Sequence, residues 1–278
     1  MKDKTCMITG ANSGIGKYTA IGLAELGANI VMVCRNKGRG EEAQKEIIEK
    51  SGNESVDLLL ADLSSQKEIR KLTSDFKRKH TNLHVLINNA GIILKNRTLS
   101  VDNIEMNLAV NYLAPFLLTN LLLDVIKESA PARIINVSSG GHGMTKMDLE
   151  DLQNAKNYSS FGSYGHSKLA LMLFTYQLSR RLENTGVAVN ALQPGMVRTN
   201  LGRDQPFLAR LLTKIFFRSP KKGAQTSIYL ASSPDVEGIT GKYFKDRKIT
   251  RSTEDSYNLD YAVKLWTMSE KLVEMKAF

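Results

Sequence analysis

Short, nearly continuous apolar runs alternate with amphipathic stretches from the first residues of this chain, and few folds accept that order. The runs occupy residues 5–9, 29–34, 56–60, 85–88, 133–137 and 187–192, with a further short one at 242–244. Between them lie stretches of helical period at 14–26, 40–50, 65–79, 107–128, 160–183 and 220–232, and the tail 256–272 has the same period. Glycines stand where two of the helices should stop, at Gly27 and Gly186, the residue type that most easily takes the left-handed turn ending a helix. A strand apolar on both faces belongs in a parallel sheet covered by helices on both sides. The pattern predicts a single doubly wound α/β domain over residues 1–278, with a mostly parallel, seven-stranded sheet.

Composition narrows the class further. The chain is 42% hydrophobic and 24% charged, which excludes a disordered chain, a collagen-like fibre and a coiled coil. The two cysteines, Cys6 and Cys34, sit in apolar runs and read as small buried hydrophobes in a reducing compartment. No Cys/His spacing suggests a metal site. The net charge of +10 raises nucleic acid, an anionic membrane or an acidic ligand as partners. The cations are scattered, however, with no block of five and no interleaved aromatics, which argues against nucleic acid. The start Met1-Lys2-Asp3-Lys4-Thr5 enters the first apolar run directly, without the pattern of a secretory leader. The longest apolar stretch, 113–126, is interrupted by Pro115, Asn120 and Asp124 and falls short of the ~20 residues that span a bilayer. A soluble, cytoplasmic protein is expected.

Between the first strand and the first helix the chain reads Thr9-Gly10-Ala11-Asn12-Ser13-Gly14-Ile15-Gly16. Glycines there let the backbone turn tightly and approach a ligand, and the helix N-terminus presents free N–H groups and partial positive charge. In a Rossmann domain the occupant of that place is a dinucleotide pyrophosphate. Such turns also merely join strands to helices, and the spacing G-x-x-x-G-x-G differs from the common G-x-G-x-x-G. After the second strand comes Cys34-Arg35-Asn36-Lys37. An NAD site places Asp or Glu there for the ribose hydroxyl, whereas the Arg35 guanidinium suits a 2′-phosphate and hence NADP(H). The plainer reading of Arg35 is an exposed strand-end cation.

Tyr164-Gly165-His166-Ser167-Lys168 opens a long helical pattern. Residues four apart share a helical face, so the phenol and the ammonium can enter one site. A free phenol titrates near about 10, and a neighbouring ammonium brings that down by roughly 1–3. The pair can then pass a proton to and from an alcohol/ketone couple. Alone, the spacing is equally that of an exposed helical pair.

In this order the chain resembles the short-chain dehydrogenase/reductase family over about residues 5–272. The motifs are Thr9-Gly10-x-x-x-Gly14-Ile15-Gly16, Asp62-Leu63, Asn88-Asn89-Ala90-Gly91, Asn111, Ser138-Ser139, Tyr164-x-x-x-Lys168 and Pro194-Gly195. Within the family it looks most like the retinol dehydrogenase-like branch, in 9–17, Cys34-Arg35-Asn36, 164–170 and Gly241-Lys242-Tyr243-Phe244. The resemblance implies that Tyr164 is the general acid/base and that Lys168 holds the nicotinamide ribose. It implies further that Ser139, rather than Ser138, bonds the substrate oxygen, and that Asn111 holds a water in a proton relay. The plainer role for Asn111 is a polar residue bonding backbone inside a helix. By the same resemblance the cofactor is held by Gly10, Asn12, Ser13, Gly14, Ile15, Gly16, Arg35 and Asn36, and by Asp62 and Leu63 at the adenine. Asn89, Ala90 and Gly91 would line its ribose, and Pro194, Gly195, Val197 and Thr199 its nicotinamide. Asp62 could instead cap a helix, and 88–91 could be a plain turn. His142 and His166 fit no catalytic place.

The loop between Ser139 and Tyr164 is long, and such loops are often functional. Segment 207–217 carries Phe207, Leu208, Leu211, Leu212, Ile215 and Phe216 on one half of a helical wheel. It reads as a small core helix, a lid over an apolar substrate, or a membrane-surface helix. The expected activity is NADP-dependent hydride transfer to or from a carbonyl or alcohol of a lipophilic small molecule. A non-catalytic NADP-binding sensor and a peripheral membrane reductase of retinal or sterol type are the alternatives. Helices 107–128 and 160–183 carry more apolar residues than one core stripe needs, which with the resemblance implies a homodimer or homotetramer.

Overall fold

The computed structural model describes residues 1–195, 197 and 218–275. Its strands are β1 (Thr5–Thr9), β2 (Asn29–Cys34), β3 (Val56–Leu60), β4 (Val85–Asn88), β5 (Ala132–Val137), β6 (Val187–Gln193), β7 (Lys242–Lys245) and β8 (Lys248–Thr250). The helices are α1 (Gly14–Glu25), α2 (Lys37–Ser51), α3 (Gln66–Lys79), α4 (Met106–Glu128), α5 (Ser160–Arg181), α6 (Pro220–Ser232) and α7 (Leu259–Leu272). The strands form one sheet in the order β3-β2-β1-β4-β5-β6-β7-β8. All neighbours pair in parallel except β7 and β8. The chain reverses direction across the sheet between β1 and β4, and the carboxyl ends of those strands therefore open a crevice, where ligands of such sheets bind.

Strand alternation divides the core in two. Met7, Val31, Val33, Leu86, Ile134 and Val189 face α3, α4, α5 and α7. Cys6, Ile8, Ile30, Met32, Val85, Ile87 and Ile135 face α1, α2 and α6. Both faces are buried, which explains why the strands read as continuous apolar runs. Helix α4 is long and apolar enough to cross a membrane by composition, and 89% of its apolar window is buried in this domain. It is a core helix here.

Three elements differ from the sequence expectation. The sheet has an eighth strand, antiparallel, joined to β7 by Asp246 and Arg247, both at positive φ (52° and 65°). This two-residue turn lacks the Asn-Gly or Asp-Gly pair that announces it in a sequence. Helix α2 begins at Lys37 rather than residue 40, because Asn36 caps it by accepting the Arg39 N–H at 3.0 Å. Helix α4 is not regular: Ala109–Leu113 form a wide π turn around Asn111, a deformation frequent at functional sites.

Helix α7 lies across α4 and α5. Its Trp266 meets the Phe116 ring at 5.0 Å and the Phe174 ring at 5.8 Å. Such ring contacts contribute about 0.5–1.5 kcal/mol each beyond burial. The Tyr112 and Ser269 hydroxyls bond at 2.5 Å. Part of the apolar surface of α4 and α5 is thus covered from within the chain. Segment 207–217, expected as a lid or helix, lies outside the described residues, as does Thr199.

Candidate active site

The glycine-rich turn is set by steric necessity. Gly10 and Gly14 hold φ of +67° and +57°, the left-handed region that side chains resist. A Cβ on Gly16 would lie 2.4 Å from the Gly10 carbonyl oxygen and 2.5 Å from Asn89 Nδ2. Asn89 props the turn by donating to the Thr9 carbonyl at 2.8 Å. The Thr9 hydroxyl accepts from the Asn89 and Ala90 N–H groups at 2.9 and 3.0 Å. On the other flank the buried Cys34 thiol faces the Ala11 and Asn12 backbone, and burial pushes it up to about 11. That contact is invisible in the sequence, where Cys34 reads as a small hydrophobe.

Ser13 takes the cap position of α1 in extended backbone, without a side-chain cap bond among the described residues. The caps of α2, α3, α5, α6 and α7 all have one. The first-turn N–H groups of α1 therefore face the crevice without an internal acceptor. Uncapped N–H groups and a cradle that admits no Cβ fit a dinucleotide pyrophosphate.

Beyond the turn, Arg35 lies 71% exposed, with Nη1 3.4 Å from Asp62 Oδ2. Burial raises the Asp62 carboxyl, but the Ser64 N–H and hydroxyl, with Arg35, hold it below its ordinary range. Asp62 does not cap α3; Ser65 does, accepting the Glu68 N–H. Asn36 is committed to α2, and Leu63 packs at the margin of the α3 core.

The second part of the site forms around α5. Tyr164 is half-buried and Lys168 fully buried, with Lys168 Nζ 5.9 Å from the Tyr164 ring centre. Both point toward the carboxyl end of β5, where Nζ donates to the Val137 carbonyl at 2.9 Å. The Tyr164 ring and Ser139 Oγ converge beside Gly141, where a Cβ would lie 3.3 Å from Tyr164 Cε1 and 3.5 Å from Ser139 Oγ. Ser138 instead turns away and donates to the Lys168 carbonyl at 3.4 Å. The titration behaviour departs from the expectation. Burial pushes the Tyr164 phenol above its ordinary value, against the opposing influence of the nearby Ser139 hydroxyl, and lowers Lys168 to about 8. Desolvation of each charge outweighs their mutual attraction at this separation.

The Asn111 amide is engaged within the chain. Its Oδ1 accepts the Ile92 N–H at 2.8 Å, and its Nδ2 donates to the Ile92 carbonyl at 2.9 Å and the Ser167 hydroxyl at 3.0 Å. Both donors are spent, and the residue clamps the chain after β4 to α5. A Cβ on Gly91 would lie 3.2 Å from Asn111 Oδ1 and 3.5 Å from Lys168 Nζ, while a Cβ on Gly10 would lie 3.1 Å from Ala90 Cα. The two-residue strip Ala90-Gly91 thus separates the glycine cradle from the Tyr164–Lys168 pair.

Pro194 and Gly195, the latter at φ +80°, follow β6 into the same crevice. Val197 packs on Ile15 and Ala224, beside the start of α1. Arg218, unremarkable in the sequence, lies against Gly195 and forms a bidentate ion pair with Asp246 in the β7–β8 turn. His166 accepts the Asp148 N–H and contacts the Asn154 amide, and His142 bonds backbone. Neither lines the crevice with a free ring nitrogen.

A phosphate cradle facing an ionisable Tyr/Lys/Ser group at the carboxyl edge of a parallel sheet defines a dinucleotide-dependent oxidoreductase. Residues 4–206 match the short chain dehydrogenase family. The chain is 45% identical to mouse retinol dehydrogenase 14, over 98% of this chain and 86% of that protein. It is 43% identical to mouse retinol dehydrogenase 12, over 97% and 86% respectively. An uncharacterised Mycobacterium paratuberculosis protein of known structure superposes with a TM-score of 0.81 at 30% identity, covering 100% of this chain and 96% of that one. The chain belongs to the short-chain dehydrogenase family, in its retinol dehydrogenase-like branch. It is therefore a hydride-transfer oxidoreductase that works with a nicotinamide cofactor.

Proposed function

We propose that the chain interconverts a carbonyl and an alcohol on a lipophilic small molecule with NADP(H), and that Tyr164 is its general acid/base. The observation that carries this reading is the convergence of Tyr164 and Ser139 beside Gly141, where one added Cβ would lie 3.3 Å from the Tyr164 ring and 3.5 Å from Ser139 Oγ, across the Ala90-Gly91 strip from the glycine cradle. A bound nicotinamide supplies or accepts the hydride. Tyr164 gives its hydroxyl proton to the carbonyl oxygen during reduction and takes it back from the alcohol during oxidation. Ser139 holds that oxygen, and Lys168 balances the phenolate left behind. Asn111 fixes Ile92 and Ser167 around them.

Arg35 supports the choice of NADP(H). It is largely exposed at the end of β2, and its single loose pair with Asp62 is of the kind that contributes little in water. A 2′-phosphate offers that guanidinium a stronger, bidentate partner. The substrate class is supported by Met144 and Phe161, which are 74% and 65% exposed on the turn after Ser139 and on the first turn of α5 before Tyr164. The relatives named retinol dehydrogenases favour a long, apolar primary alcohol or its aldehyde.

Replacing Tyr164 by Phe removes only the hydroxyl. Turnover should fall by about 10²–10⁴-fold, while NADPH affinity measured by fluorescence stays the same. Retained turnover across a panel of apolar aldehydes would remove Tyr164 from its role.

A further inference from the structure

His142, three residues after Ser139, is buried, with 4% of its surface exposed. Its Nδ1 lies 2.6 Å from the Ser139 carbonyl oxygen, and the Thr253 backbone nitrogen lies 3.3 Å from its Nε2. A backbone N–H can only donate, so Nε2 accepts and Nδ1 carries the proton that goes to Ser139. The ring stands edge-on to Tyr243 at 5.0 Å. Burial holds it below the ordinary histidine range, in keeping with the neutral form these bonds require. Both nitrogens are occupied, so the ring has no proton to exchange with a substrate.

Thr253 is itself well anchored. The neighbouring Ser252 hydroxyl bonds Tyr176 on α5 and Ser256, each at 2.7 Å. Two residues on, Asp255 Oδ2 accepts the Met147 N–H at 3.1 Å. The loop that leaves Ser139 is thus fastened to the 252–256 segment at two points, His142 and Met147. From the front it rests on α5, where a Cβ on Gly165 would come 2.7 Å from the Gly141 carbonyl. Ser139 also caps the short turn that contains His142, its Oγ accepting the Gly141 N–H at 3.1 Å.

We infer that His142 is a positioning residue: it carries a brace from the C-terminal segment at Thr253 to the backbone of Ser139, and so aims the Ser139 hydroxyl at Tyr164. This rests on the proposed roles of Ser139 and Tyr164. It gives a function to a histidine that takes no part in the proton transfer, and makes the 252–256 segment a working part of the site.

A double-mutant cycle tests it. His142→Phe keeps a ring against Tyr243 and loses both hydrogen bonds. The expected result is a fall in kcat of about 10–100-fold, the scale of a misplaced catalytic group, with NADPH affinity unchanged. His142→Gln, whose amide can accept from Thr253 and donate to Ser139, should recover most of that loss. In a Ser139→Ala background, His142→Phe should cost no further turnover, because the hydroxyl it aims is gone. A loss that multiplies in that background, or a wild-type kcat in folded His142→Phe, would overturn the inference. Failure of His142→Phe to fold leaves the Gln variant to decide: tenfold or greater loss in both backgrounds refutes the brace. If Ser139→Ala alone keeps full turnover, it is the proposed reaction chemistry that falls, a distinct outcome.

Discussion

The crevice has two walls built on different physical terms. The cradle wall, from Thr9 to Gly16, is held by backbone: positive φ at Gly10 and Gly14, and a Gly16 position where even one methyl collides with a carbonyl. The proton wall, from Ser139 to Lys168, is held by side chains that reach across long sequence distances, Asn111 to Ser167 and His142 to the Thr253 N–H. Backbone constraint tolerates almost no chemical change but needs only a few adjacent residues. Side-chain constraint spreads over many elements and can be loosened one bond at a time.

A large loss of cofactor affinity should come from attacking the backbone constraint. Gly16→Ala forces a shift at Gly10 and costs about 1–3 kcal/mol, the range for overpacking; NADPH Kd should rise by a corresponding 10–100-fold or so, read by fluorescence titration. The matched control on the other wall is Gly143→Ala, where a Cβ meets nothing within 4 Å. That variant should keep both affinity and turnover, and a large loss there would erase the contrast.

Similar in size, but specific to one cofactor, is the effect of Arg35→Asp. Losing a charge-assisted phosphate contact is worth about 1.5–3 kcal/mol, so KM for NADPH should rise roughly 10–100-fold while that for NADH changes little. Equal changes for both would separate Arg35 from the 2′-phosphate.

The smallest effect is a slope. Burial lowers Lys168 to about 8 in the folded chain, below the ordinary value near about 10.4 that the unfolded chain keeps. Between those values the unfolded state binds more protons, so this group adds stability as pH rises from about 8 and costs it fully below. In denaturant melts of the ligand-free protein, wild type should gain on Lys168→Met between pH 8 and 10. A flat difference would show that the proton wall is wetter than its packing implies.

The same division governs what the sequence discloses. Gly10, Gly14 and Gly16, and the Tyr164/Lys168 spacing, are local, and local spacing is what a one-dimensional reading sees. The parallel strands are legible because both their faces are dry. The π turn at Asn111 is not, since nothing in Val110-Asn111-Tyr112 says that its amide will clamp Ile92. Nor is the rise of the Tyr164 phenol, because spacing reports the neighbouring cation but not how deeply both groups are buried. Cys34, Arg218 and His142 escape for the same reason: each acts through a partner that only the fold brings near.

The position of Trp266 bears on how such a chain is made. Its ring completes a cluster with Phe116 and Phe174, two side chains translated far earlier. A growing polypeptide therefore keeps a greasy flank unsealed until residues 259–273 have emerged from the ribosome, and synthesis that stalls before them leaves a surface that holdase chaperones recognise.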